Sequence, residues 1–148
     1  MRKLWHTLLI TSIFAALLVP IQAFAQTELV GYIDVDVPFQ FYAGDTLFPA
    51  GTYSITSVME DPGTLLIQGP HDRVEALLLT EPTRGETPAS QANLVFNKVG
   101  NHEFLSQVWD EGALIGYQIL KPRLERRLEQ SEMSRKSHTV AARRRKSK

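Results

Sequence analysis

The chain predicts an all-β domain, an antiparallel sandwich or small barrel of about seven or eight strands, with one C-terminal helix and a disordered basic tail. Three observations predict it. Apolar and polar side chains alternate at a period of two through much of residues 29–119, as the two faces of a strand require. Clusters of Pro, Gly, Asn and Asp punctuate this pattern at short intervals, and these residues favour turns. The connections are too short for the crossover helices of a parallel sheet.

Residues 1–25 read as a secretory leader. Arg2 and Lys3 give a positive start, Leu8 to Val19 is uncharged and largely apolar, and Ala23-Phe24-Ala25 has the small-residue spacing of a cleavage site. The apolar run is about a dozen residues, against roughly 20 for a spanning helix. Cleavage after Ala25 is therefore expected rather than a membrane anchor, with the product in the periplasm or outside the cell.

The β domain is expected over 26–120. Leu29 to Phe41 alternates, with Ile33, Val35, Val37, Phe39 and Phe41 on one face; Pro38, which lacks an N–H, divides the run. Phe48-Pro49-Ala50-Gly51 has proline and glycine at the positions a type I turn favours. Strands follow over 52–58, 64–68 and 73–80, separated by turns at Asp61-Pro62-Gly63 and Gly69-Pro70-His71-Asp72. In the last of these, Val74, Ala76 and Leu78 oppose Leu77 and Leu79, so cover on both faces is expected. Residues 81–91, with Pro82, Gly85 and Pro88, form the longest predicted loop. Ala92, Leu94 and Phe96 begin the next strand, and 103–109 and 113–119 complete the set.

From Lys121 the period changes. Leu120, Leu124 and Leu128 fall four apart and Pro122 suits a first turn, so a helix is expected over 121–133, its leucines against the sheet or an open barrel end. Glu132 and Lys136 are spaced to pair at i, i+4. Residues 134–148 are dense in charge and sparse in apolar groups, the composition of disorder.

Charge divides the chain sharply. Residues 26–120 hold three basic residues, Arg73, Arg84 and Lys98, against 13 carboxylates, a net of −10. Residues 121–148 hold 11 basic residues against Glu125, Glu129 and Glu132, a net of +8. With no cysteine in the chain, disulfides, thiol catalysis, thiolate metal sites and lipoprotein acylation are excluded. Stability must come from apolar packing and backbone pairing.

Three segments resemble a family of small exported proteins common in acidobacteria and without an established activity. They are Phe39-Gln40-Phe41-Tyr42-Ala43-Gly44 with Leu47 to Tyr53, Leu94 to Gly100 with Phe104 to Trp109, and Lys121-Pro122-Arg123-Leu124-Glu125-Arg126. Pro122 departs from the family's serine, and Asn97 stands where many relatives have histidine. The resemblance implies a compact β domain with a terminal helix and brings no catalytic role.

No reactive constellation emerges from the residues. His71, His102 and His138 are far apart and lack the converging spacing of a zinc site, so no metal or cofactor is expected. Ser106, His102 and Asp110 form a nominal trio, but a triad is defined by geometry; no catalytic residue is assigned. Asp34 and Asp36 share a strand face about 7 Å apart and read as a solvated face. Glycines 44, 51 and 63 are turn glycines rather than a phosphate cradle. Phe39, Phe41, Tyr53, Phe96, Phe104 and Trp109 read as core, the alternative being the lining of a ligand pocket.

The tail, Arg143-Arg144-Arg145-Lys146 with Lys148, either docks on the acidic body or meets an anionic surface such as lipid headgroups or acidic polysaccharide. Between Pro122 and Lys148 it has no aromatic residue for stacking on single strands, and no sequence-specific nucleic acid is expected. The expectation is a non-enzymatic exported β domain with a binding or structural role in the cell envelope. A carrier of a small apolar ligand and an enzyme of unknown class are the alternatives.

Overall fold

A computed structural model of the chain describes residues 31–58, 61–69, 75–131 and 135–145. The leader, His71 and its neighbours, the Glu132–Lys136 pair, Lys146 and Lys148 lie outside these residues.

The described chain is predominantly β. Its strands are β1 (Ile33–Val37), β2 (Phe41–Ala43), β3 (Thr46–Phe48), β4 (Gly51–Val58), β5 (Asp61–Gln68) and β6 (Glu75–Arg84). They continue with β7 (Asn93–Val99), β8 (His102–Trp109), β9 (Ile115–Ile119), β10 (Arg135–Ala141) and β11 (Arg143–Arg144), and one helix, α1 (Arg123–Gln130), lies between β9 and β10. Eleven strands stand where seven or eight are expected. The excess comes from two places: a short hairpin, β2–β3, and the C-terminal segment.

The hairpin turns at Gly44, whose φ of 57° is left-handed, a conformation glycine adopts without a Cβ clash. It places Phe41 opposite Phe48, both fully buried. β2 also runs parallel to β8 at Tyr42 and Phe104, so the pairing is mixed rather than purely antiparallel. Asp61-Pro62-Gly63, expected as a turn leading into the strand at 64–68, is itself strand. It opens β5, where the Asp61 carboxylate accepts from Gly63 N at 3.1 Å and Thr64 Oγ1 at 2.6 Å, beside a register shift at Ser57/Val58.

β6 is longer than its sequence predicts, because 81–84 continue as strand. Residues 75–79 pair with β5, whereas 80–84 pair with β9. Pro82 sits in the second half, where β9 is the strand's described neighbour, so its missing N–H falls on an unpaired edge.

The expectation of disorder over 134–148 is corrected for residues 135–145, the described part of that segment. Arg135–Ala141 pairs antiparallel with β7 along seven residues, from Arg135↔Val99 to Ala141↔Asn93. One residue later Arg143 and Arg144 pair with Asp34 and Ile33 of β1. Ala142 N donates to Ala92 O at 2.8 Å, and Arg145 N to Tyr32 O at 2.6 Å. The strand path β10-β7-β8-β9-β6-β5-β4-β1-β11 thus starts and ends on one continuous stretch of chain. The reason lies in His138, Val140 and Ala142, which alternate as partly buried residues among exposed neighbours. Val140 and Ala142 pack against the core.

The core is built from the alternating residues of β1, β4, β5 and β7 with Phe41, Phe48, Leu78, Leu105, Val108, Tyr117 and Ile119. Its centre is aromatic: Phe41 meets Phe48, Tyr53 and Phe96 with ring centroids 5.4, 5.3 and 5.4 Å apart, within the range of favourable ring pairs. Two further aromatics expected in the core, Phe104 and Trp109, differ in their placement. Phe104 is buried but stacks on Tyr42 at 5.3 Å outside this cluster. Trp109 lies over the bare backbone of Gly116, where a Cβ would come within 2.5 Å of the indole. Leu77 and Leu79 are 66% and 62% exposed, so β6 is covered on one face only.

Candidate functional site

A bulge in β8 prepares the outer face on which α1 sits. Val95 pairs with Gln107 and Phe96 with Leu105, which leaves Ser106 as the extra residue of the bulged strand. The bulge lets Leu105 and Val108 both reach the core while Ser106 and Gln107 line an outer groove.

Side-chain amides organise that face. Trp109 Nε1 donates to Gln107 Oε1 at 3.0 Å, Gln107 Nε2 to Gln118 Oε1 at 2.9 Å, and Gln118 Nε2 to the carbonyl and hydroxyl of Ser106 at 3.0 and 3.2 Å. The order Trp109→Gln107→Gln118→Ser106 fixes which end of each amide points where. Chained bonds of this kind hold a polar surface in one arrangement.

The helix covers one side of this face. Its N-cap position, Pro122, supplies no side-chain cap, so docking rather than capping must hold it. Of the expected leucine anchors, Leu124 and Leu128 are half-buried, whereas Leu120 is 43% exposed. The deeply buried residue of α1 is instead Glu125, 1% exposed, whose Oε1 accepts from Asn97 Nδ2 at 3.0 Å. Burial raises the Glu125 carboxyl above the ordinary range, partly offset by the Asn97 bond and the nearby Lys121.

Glu129, one turn on, behaves in the opposite way. Lys121 Nζ donates to both its oxygens at 2.9 Å and Arg135 Nη1 to one at 3.3 Å. Its carboxyl is held low, chiefly by the Lys121 bond. One carboxylate therefore ties together the entry to α1, its last turn and the start of β10.

On this face lies a groove of about 420 Å³ lined by Asn97, Ser106, Gln107 and Gln118, with Glu81, Lys121 and Arg135 as its charged residues. Glu125 stands behind Asn97 rather than in the groove. Its bond holds the Asn97 amide in one orientation. Chemically, the groove offers amides and hydroxyls for hydrogen bonding, the Glu81 carboxylate, and two cations that already pair with Glu129.

The residues weighed as a nominal triad each have partners of their own. Ser106 receives its bond from Gln118, and the His102 ring lies 5.9 Å from Tyr42 and 6.3 Å from Phe104. Asp110 accepts from Glu111 N at 2.8 Å and Gly31 N at 3.4 Å and faces Arg144 Nε at 3.6 Å. His138, stacked on Phe96 at 5.9 Å, lies 3.8 Å from Glu103, which also faces Lys98 at 3.3 Å. Among the described residues no group of three or more His, Asp or Glu is arranged to hold a metal ion.

Asp34 and Asp36 face outward, Asp36 exposed and Asp34 half-buried. Asp34 receives Arg145 through two bonds, at 2.6 and 2.8 Å, and this partner raises the Arg145 guanidinium further above its ordinary value. The described part of the basic tail is therefore engaged with the body through Arg144 and Arg145, and with α1 through Arg135.

Sequence reasoning did not single out Asn97, Glu125, Gln107 or Gln118 as one group. The available signal was Glu125 itself, a carboxylate on the same helix stripe as Leu128 three residues later. Comparison with family models, curated proteins and solved structures finds no match to this chain.

Proposed function

We propose that this chain is an exported, non-enzymatic β barrel that works by binding at the cell envelope, with the groove lined by Asn97, Ser106, Gln107 and Gln118 as its recognition site. The observation that carries the reading is this pre-arranged polar lining, with Lys121 and Arg135 beside it. Such a surface suits a small polar ligand whose hydroxyls meet the amides, while an anionic group on it shares Lys121 and Arg135 with Glu129.

Support for export is the leader pattern of residues 1–25. Closure into a barrel is supported by the C-terminal segment pairing with β7 at one end of the strand path and β1 at the other. A carrier of apolar ligands would need interior volume, and the aromatic cluster around Phe41 occupies that region. Among the described residues no helix is long and apolar enough to cross a membrane.

The test is expression of the full chain in a bacterial host, followed by mass determination and fractionation. A product beginning at Gln26 that binds isolated envelope material, and binds it several-fold more weakly as Lys121→Glu or Arg135→Glu, supports the proposal. A cytoplasmic product starting at Met1 would overturn the export claim. Undiminished binding by both variants would overturn the groove.

A further inference from the structure

We propose that the exposed arginine face of α1, together with the leucines on the outer face of β6, is a docking surface for an anionic lipid bilayer. This rests on the envelope-binding reading and names a partner for it at a surface separate from the groove.

The first observation is electrostatic. Arg123, Arg126 and Arg127 are exposed and, with Gln130, line a shallow groove on the helix. Among the described residues none of the three forms an ion pair, whereas Arg135, Arg144 and Arg145 of the tail each face a carboxylate. The spacing i, i+3, i+4 crowds like charges on one face, and Arg123 lies near the positive end of the helix dipole. Such an arrangement works against the isolated helix. It is relieved by phosphate groups outside the protein, which guanidinium recognises in a bidentate manner.

The second observation is apolar and independent of the first. Leu77 and Leu79 stand 66% and 62% exposed, Leu120 is 43% exposed, and Leu66 lies directly across from Leu77. Leu120 N donates to Leu79 O at 3.0 Å, so the apolar stripe leads through Lys121 and Pro122 into the arginine helix. Large exposed aliphatic groups beside clustered arginines match the two needs of an interface-bound protein: apolar area for the acyl boundary and cations for the headgroups. A nucleic acid or an acidic polysaccharide would use the arginines and leave the leucines idle.

The chain exported by a producing cell, with its leader removal verified by mass, is tested by co-sedimentation with vesicles of phosphatidylcholine alone or with one-third phosphatidylglycerol. Binding is expected on the anionic vesicles only, and to weaken with added salt. Each arginine near such a surface contributes about fivefold, so Arg123→Ser/Arg126→Ser/Arg127→Ser should lower partitioning on the order of a hundredfold. Leu77→Ser/Leu79→Ser should lower it as well, with far-UV circular dichroism unchanged for both variants.

Wild-type partitioning by the arginine variant overturns the proposal. So does binding of heparin or single-stranded DNA at equal strength with no effect of the leucine substitutions, which would mark a general polyanion surface. Loss of vesicle binding with retained, Lys121-dependent binding to envelope material would remove the lipid surface and leave the groove standing. Failure of both would remove the envelope reading itself.

Discussion

A carboxyl raised by burial makes stability depend on pH, and Glu125 is that case. Its folded-state value lies above the ordinary 4.5, so its favourable contribution is complete below that value and is lost as pH rises through the folded one. Glu129, held low by Lys121, contributes in the opposite sense: its stabilisation is present above the ordinary value and lost as pH falls through the folded one. We expect Glu125→Gln, which keeps the shape without the charge, to melt with the wild type at pH 4 and above it at pH 8. Equal offsets at both pH values would disprove the assignment. Asn97→Ala leaves the buried carboxyl without its described partner and should cost about 1–3 kcal/mol in denaturant unfolding, more at pH 8 than at pH 4.

Element by element, the sheet shows where shape rather than charge decides. Trp109 rests on Gly116, and a Cβ there would come within 2.5 Å of the ring. Gly116→Ala therefore forces the indole off β9, with an expected cost of about 1–3 kcal/mol. Displacement should break the Trp109–Gln107 bond and shift indole emission to the red; an unshifted spectrum would show that the ring tolerates the methyl group. On β6 the reverse holds. Leu77 and Leu79 project from the outer face, so replacing both with serine should change stability by about 0.5 kcal/mol or less. A large loss of Tm would mean that these leucines are covered in the folded protein.

For the whole molecule the decisive segment is the last one. Residues 135–144 pair with β7 and β1, so their removal exposes two strand edges at once. Exposed edges invite pairing between chains. A chain ending at Ser134 should lose most of the roughly 5–15 kcal/mol that holds a domain of this size, and aggregate. A cooperative, monomeric melt close to that of the full chain would contradict this. The same segment explains the charge layout: an acidic body and a basic C-terminus meet at Arg144–Asp110 and Arg145–Asp34.

Much of the fold was legible in the residues because short-range periodicity is a local property. Val35 and Val37, Tyr53 and Ile55, Leu94 and Phe96 declare their buried face by alternation alone, and each is buried. The helix announced itself by its change of period, with ends at Arg123 and Gln130 inside the expected bounds. Local patterns carry no word about partners. The tail looks like solvated charge until β7 supplies hydrogen-bond partners and a core against which Val140 and Ala142 pack. The turn at Gly44 became a hairpin because Phe41 and Phe48 find the same core. Glu125 reads as surface charge in sequence, since a carboxylate is rarely buried without a partner; Asn97, 28 residues away, is that partner. By itself, then, the sequence determined which residues turn inward along strands such as β1, β4 and β7, through the two-residue repeat of the backbone. Only the tertiary structure decided which distant edges meet and which polar groups go under, because those outcomes depend on hydrogen bonds and contacts between segments far apart in the chain.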